Sequence, residues 1–410
     1  MTRDLSAANA AGTAEIAILG GGPVGCVLAL ALTAAGRRCV LVERRAPDFP
    51  PGGALAARAL AVSHATRLIL ERLGAWPGSS ATAIETIQVS QAGMFGHTRL
   101  AAQDAGVPAL GYVVAYSTLL GALRARVSAS GIDLRQGASA SVGNAGNGVV
   151  EIRTAYDVVG ARGPDIGEAT NRADTDSNSS ESFFVRCAIH AEGGGGEAAE
   201  KTYPQEALAA VLRVSPPAEQ TAFERFTSEG PVALLPMAGD YALVWSMLPE
   251  RARRLQSAPK QEFLAQLQSV MGTRAGQLLA VGERQRFPVA HRQRAPIAER
   301  EVFVGNSAQS LHPVAGQGLN LGVRDAWELA ELLGDAADPG DAAVLRRYAA
   351  GRRFDADATI FATDFLASRF TGSNALVRGL AGIALAAMDL LPGPRRFFAR
   401  RMIYGWRALP

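Results

Sequence analysis

The sequence predicts an α/β protein in which a βαβ unit opens the chain, a β-sheet domain is interleaved with it, and the C-terminus is helical. Three observations predict this. A glycine-rich turn at residues 20–25 separates a short apolar run from an Ala/Leu-rich stretch, alternating strand-like text fills much of the middle, and apolar residues in the last quarter have helical spacing. With 410 residues, 48% hydrophobic and 19% charged, the chain is long enough for two or three domains and a large core.

The opening unit can be taken element by element. Glu15-Ile16-Ala17-Ile18-Leu19 has the pattern of a buried strand, Gly20 to Gly25 form a turn, a helical stretch ends at Gly36, and Cys39-Val40-Leu41-Val42 is a second strand. Gly20, Gly22 and Gly25 have the spacing of the Rossmann-like dinucleotide fingerprint, and Glu43 follows Gly25 by 18 residues. Glycine at these positions permits a tight turn, close approach of a pyrophosphate and close helix packing. The helix N-terminus favours phosphate charge, and an acid at the end of the second strand can bond a ribose hydroxyl. The pattern does not separate FAD from NAD. A purely structural glycine turn would leave the flanking strand, helix and acid unexplained.

Beyond a Pro/Gly-rich loop at 47–53, the spacing predicts a helix from Ala57 to Leu73, stopped by Gly74. Strand-like alternation covers 84–115, 149–157, 183–190 and 205–214, then 232–235, 242–245 and 301–304, with a helix at 260–271. Residues 160–182 hold almost no large apolar groups to offset their ordering entropy, and read as a mobile hairpin loop. Lys+Arg number 41 against 38 Asp+Glu, a net charge of +3 that gives no footprint for nucleic acid. The three cysteines, Cys26, Cys39 and Cys187, have neither disulfide-framework nor metal-ligand spacing, which fits a reducing cytoplasm and no metal site. No targeting signal is read at the N-terminus, and no apolar run reaches the roughly 18 residues a membrane-spanning helix needs. No repeat of solenoid or propeller period is visible.

Residues 303–325, FVGNSAQSLHPVAGQGLNLGVRD, run from a strand end through a glycine/proline loop into a helix. This stretch resembles the second FAD-binding motif of the flavoprotein aromatic hydroxylases. Among these it is most similar to the ubiquinone-biosynthesis hydroxylases of the 2-octaprenyl-6-methoxyphenol hydroxylase type. VSQAGMFGHTRL at 89–100, LGYVV at 110–114, AFERFTSEGPVALLPM at 222–237 and TDFLASRF at 363–370 agree with that family in order along the chain.

The resemblance implies a Rossmann-like FAD-binding domain of the aromatic-hydroxylase type, assembled from residues 1–83, 116–204 (with the mobile insertion 160–182) and 293–340. It implies a substrate domain from 84–115 and 205–292, and a C-terminal helical region from 341–410. Gly305 and Asn306 would sit near the flavin ribityl and phosphate. Pro313, Gly316, Gln317, Gly318, Leu319 and Asn320 would pass along the isoalloxazine, with the next helix pointing its N-terminus at the ring. Arg58, in AARALAVSHAT, would contact the FAD phosphate or ribityl; the alternative is a solvated charge on a helix face. His312 reads as flavin-adjacent, and no side chain is assigned as catalytic.

The implied activity is FAD-dependent hydroxylation of a polyprenylated phenol in ubiquinone biosynthesis, with molecular oxygen, a flavin C4a-hydroperoxide and NAD(P)H as reductant. Other ubiquinone-biosynthesis proteins are implied as partners. Residues 375–391 form an apolar helix too short to span a membrane, followed by Arg395, Arg396, Arg400, Arg401 and Arg407 among Phe397, Phe398, Tyr404 and Trp406. That composition suits peripheral contact with the inner face of the cytoplasmic membrane, and equally a core helix with a solvated tail.

The chain departs from the family in two places. Where relatives carry A-D-G and a short helix, it has Ala191-Glu192 followed by four glycines, and after LGYVV it has Ala115-Tyr116-Ser117 in place of an acidic or amide pair. Two other readings therefore stay open: a monooxygenase for a soluble aromatic substrate, and a non-catalytic subunit with impaired FAD binding in a quinone-biosynthesis assembly.

Overall fold

The computed structural model describes residues 14–46, 58–94, 96–156, 180–193, 199–310, 316–369 and 375–405. Most of the loop expected at 160–182 lies outside them, as do His312 and Pro313. Residues 180–182 belong instead to a strand, Ser180–Val185, because they pair with Arg153, Thr154 and Ala155.

Strands Ile16–Leu19 and Cys39–Glu43 with helix α1 (Pro23–Ala34) form the opening βαβ unit. They join a six-stranded sheet in the order Ile297–Ala298, Glu301–Phe303, Cys187–His190, Ile16–Leu19, Cys39–Glu43, Asp133–Gln136, parallel except for its first, two-residue strand. The alternation of side chains along these strands feeds two cores. Ile16, Ile18, Leu41, Cys187 and Ile189 face helices, while Ala17, Leu19, Val40, Val42 and Ala188 face an antiparallel sheet of Ala138–Gly146, Val149–Tyr156 and Ser180–Val185.

The helix expected from Ala57 to Leu73 is half strand. Ala59–Ser63 pairs antiparallel with Gly111–Ala115, and only His64–Arg72 is helical (α2), with the Ser63 hydroxyl capping Thr66 N. Ala and Leu favour helix locally, but the pairing partner half a domain away decides. Gly111 makes that pairing close: a Cβ there would lie 2.7 Å from Val62 O.

After α3 (Ala102–Ala105) and α4 (Tyr116–Ala129), a nine-stranded sheet takes over. Its main order is Gln309–Ser310, Gln285–Gln293, Ala199–Ser215, Asp240–Met247, Pro231–Met237, Thr221–Phe226, Thr86–Gln91, His97–Ala101, with Gln277–Val281 branching from Ala199–Ser215. The strand Ala199–Ser215 runs through the boundary expected at 204/205. Helices α5 (Pro249–Ser257) and α6 (Lys260–Met271) cover one face through Trp245, Leu255, Phe263 and Leu267. The last quarter is α7 (Gln317–Gly334), α8 (Ala342–Arg369), α9 (Ala375–Leu390) and α10 (Pro392–Tyr404).

Candidate cofactor site

The glycine turn is built by close contacts that no side chain could share. Gly20 has φ +109°, and a Cβ on it would lie 2.6 Å from the Ala191 carbonyl; one on Gly25 would lie 1.9 Å from Gly20 O. Gly22 is the opposite case, with nothing within 4 Å of its Cβ position, so the outer surface of the turn is open. Gly22 is also the N-cap of α1, without a side-chain cap and without an acidic residue in the first turn. Unpaired N–H groups and the positive end of the helix dipole therefore face open space, which is the electrostatic requirement of a pyrophosphate cradle.

Glu43 is buried at the end of its strand. Its Oε2 accepts from Gly21 N at 2.8 Å, its Oε1 accepts from Arg45 N at 2.9 Å, and Arg124 Nη2 lies 3.8 Å from Oε2. The carboxylate thus ties the second strand to the glycine turn. Arg124 Nη2 is buried and makes no hydrogen bond.

The second half of the groove comes from the chain 280 residues later. Gly305 opens a 3-10 turn, Gly305–Ser307, with φ +56°, and donates to Asp325 Oδ2 at 3.3 Å. Val24 of α1 wedges between Gly305 and Gly322 of α7, where an added Cβ would come within 2.9 Å of its Cγ2. This contact brings the two glycine motifs together. Asn306 is exposed, and Ser307 Oγ donates to Gly193 O at 3.3 Å.

Gly316, at φ +59°, is the N-cap of α7 and packs on Ala61, whose Cβ would be 2.7 Å from a Gly316 Cβ. Gly318 has nothing within 4 Å of its Cβ position, and the first turn of α7 carries no acid. Leu319 is half-buried, and Gln317 is buried with its Nε2 donating to Met402 Sδ at 4.0 Å. Asn320 turns inward: Oδ1 accepts from Ser63 N (2.8 Å) and Thr66 Oγ1 (2.9 Å), and Nδ2 donates to the Ala61 and Gly316 carbonyls (3.0 Å each). Arg58 is exposed just before the strand Ala59–Ser63, so it is not on a helix face. Its guanidinium stands 5.7 Å from the Phe287 ring centroid.

Two clusters beside the groove had no local signal in sequence. Asp325 accepts two bonds from Arg352, at 2.9 and 3.1 Å, and one from Gln309 Nε2 at 3.1 Å, anchoring α7 to α8 and to the sheet edge. His190 lies between two carboxylates, with Nδ1 3.3 Å from Glu192 Oε2 and Nε2 2.8 Å from Glu301 Oε2, and stacks on Phe303 at 4.4 Å. Burial opposes its charged form, but bonding to Glu192 and Glu301 outweighs this and holds its pKa above the ordinary value. Glu192 therefore reaches back to a histidine two residues earlier.

The residues present fit FAD: two uncapped helix N-termini without acids, an open cradle at Gly22, and an open glycine surface at Gly318. The pattern of the FAD binding domain family matches residues 13–164 and 171–362. The chain belongs to this family. It is an FAD-dependent monooxygenase, and FAD is its cofactor. It is 28% identical to the ubiquinone hydroxylase UbiL of Rhodospirillum rubrum, over 94% of this chain and 89% of that protein. It is also 28% identical to the 3-demethoxyubiquinol 3-hydroxylase of Escherichia coli, over 92% and 94%. The p-nitrophenol 4-monooxygenase PnpA of Pseudomonas putida has the same fold, with a TM-score of 0.75 and 17% identity over 96% of this chain and 99% of that one.

Proposed function

We propose that this monooxygenase hydroxylates the aromatic ring of a polyprenylated phenol in ubiquinone biosynthesis. One oxygen atom of O2 enters the ring, the other leaves as water, and NAD(P)H supplies the two electrons. The observation that carries the reading is the joined groove, with both glycine motifs held around Val24, in a chain whose full-length relatives bear ubiquinone hydroxylase names.

Bound FAD supplies the activation of oxygen once reduced, so no side-chain nucleophile is required. In this reading the Gly20–Gly25 turn and α1 hold the pyrophosphate, and Glu43 holds the adenosine ribose, exchanging part of its bond to Gly21. Arg58, Gly305 and Asn306 hold the ribityl end, and Gly316, Gln317, Gly318 and Leu319 lie along the ring. The N-terminus of α7 stabilises negative charge arising on the ring. Asn320 acts indirectly, by fixing that N-terminus to the strand Ala59–Ser63.

The α9–α10 elbow supports peripheral membrane contact, where a polyprenylated substrate resides. Of seven exposed large hydrophobic residues among those described, Ile383, Leu390, Leu391 and Phe397 lie there, and Arg396 and Arg400 are exposed beside them. No helix among the described residues is long and apolar enough to cross a membrane.

The first test is the visible spectrum of the purified protein with and without added FAD, followed by product analysis with a prenylated phenol under isotopically labelled oxygen. The expected result is a protein-perturbed flavin spectrum and one labelled oxygen in the phenolic product. A colourless protein that added FAD cannot fill would overturn the reading in favour of a non-catalytic subunit. Turnover of soluble phenols alone would shift it to a soluble aromatic substrate.

A further inference from the structure

The His190 cluster borders the cofactor groove without belonging to either glycine motif. The loop that leaves its strand packs directly on the fingerprint turn, since a Cβ on Gly20 would lie 2.7 Å from Glu192 Cα. The same loop is held from the other motif by Ser307 Oγ on Gly193 O. Glu192 thus has its backbone against the turn that must accept the pyrophosphate's two negative charges, and its half-exposed carboxylate stands at the same strand end, 3.3 Å from His190 Nδ1. A free carboxylate there would oppose the ligand. His190 answers that charge, because an imidazole whose two nitrogens both meet carboxylate oxygens must donate from both, which only the imidazolium can do.

We propose that His190 is a positioning residue for the cofactor: anchored by Glu301 and stacked on Phe303, it tethers the Glu192 carboxylate and neutralises part of its charge at the wall of the pyrophosphate cradle. The proposal rests on the FAD reading above. The groups that face the ring are few. The neighbouring strand Ile16–Leu19 presents Leu19, and Glu301–Phe303 presents Phe303 and Glu301. Glu192 closes the loop side, and Arg294 lies against the Phe303 ring, 3.5 Å from its centroid. With the imidazolium present, the two carboxylates, the ring and Arg294 sum to zero; after deprotonation they sum to one negative charge. FAD affinity therefore falls as pH rises through the titration of His190.

The experiment measures FAD dissociation constants by flavin fluorescence from about pH 6 to about pH 9, for the wild type, His190→Gln and Glu301→Gln. Histidine titrations of each apoprotein are followed in parallel by nitrogen-15 NMR. The wild type is expected to lose roughly tenfold in affinity across its His190 titration. His190→Gln is expected to bind weakly with no step in that window, and Glu301→Gln to move both the step and the NMR titration to lower pH. A merely structural histidine would weaken binding without altering the pH profile, so parallel profiles in wild type and His190→Gln overturn the proposal. Should His190→Gln fail to fold, an unmoved step in Glu301→Gln overturns it equally. Absence of FAD binding at every pH overturns the cofactor reading instead, while the NMR titration still reports whether the tether exists.

Discussion

Asn320 uses its whole amide on the protein, and removing it leaves Ser63 N–H, the Thr66 hydroxyl and two carbonyls to find other partners at a site 2% exposed. Buried groups orphaned in this way cost about 1–3 kcal/mol each when no water replaces the partner, so with four of them Asn320→Ala is expected to lose about 4 kcal/mol or more. Urea unfolding reads this as a lower midpoint at unchanged slope, and an unshifted midpoint would contradict it. Resemblance placed Asn320 beside the flavin; that its amide faces the strand Ala59–Ser63 depends on a partner 257 residues away, which no local pattern reveals. The cysteines make a second residue-scale case. Burial pushes the Cys26 and Cys187 thiols up to about 12 and raises Cys39 as well. The thiolate is the reactive form, so none of the three should react with a thiol reagent in the native protein at neutral pH, and all three should react in denaturant.

At the scale of elements, α7 carries one acid and one base, Asp325 and Arg324, that lock it to α8. Arg352–Asp325 and Arg324–Asp355 are buried pairs at 2.9 and 2.8 Å, joining α7 to α8. Breaking a buried pair from one side leaves an uncompensated charge, so Asp325→Asn should cost about 3–5 kcal/mol and lower the melting temperature, with loosened binding of FAD through Gly305. The elbow between α9 and α10 is the opposite kind of element, apolar and uncovered. Replacing Leu390 and Leu391 by Ser should reduce flotation with anionic phospholipid vesicles at least tenfold, given about 0.8 kcal/mol per buried methylene. Equal flotation of the variant and the wild type would remove the membrane contact from the reading. Elements were legible in sequence where their signal is local. Ile16–Leu19 and Lys260–Met271 stand where spacing put them, because strand and helix periods are written in neighbouring residues. Ala59–Ser63 was read as helix, and the parallel pairing of Thr86–Gln91 with Thr221–Phe226 was not readable at all, since pairing across such a distance in sequence leaves no periodicity.

On the scale of the whole molecule, the groove is a joint between segments that are distant in sequence, while the α5–α6 layer has a hydrophobic core of its own. FAD binds only the folded joint, so it stabilises whatever must open to release it, by about 2.7 kcal/mol at one hundred times the dissociation constant. If the two cores open separately, that gain stays near the groove. The coupling between them runs through Gln285–Gln293, which pairs with both Ala199–Ser215 and Gln309–Ser310, through the small sheet of Ala59–Ser63, Gly111–Ala115 and Thr82–Ile84, and through α10, whose Ala399 and Ile403 pack with Ala65 of α2 and Leu100. Hydrogen exchange with and without FAD should therefore show slower exchange in Ile16–Leu19, α1, Glu301–Phe303 and α7, and nearly unchanged exchange in α5 and α6. An equal gain in α5 and α6 would mean that the molecule opens only as one unit, with the long strand Ala199–Ser215 transmitting the cofactor's stabilisation across both sheets.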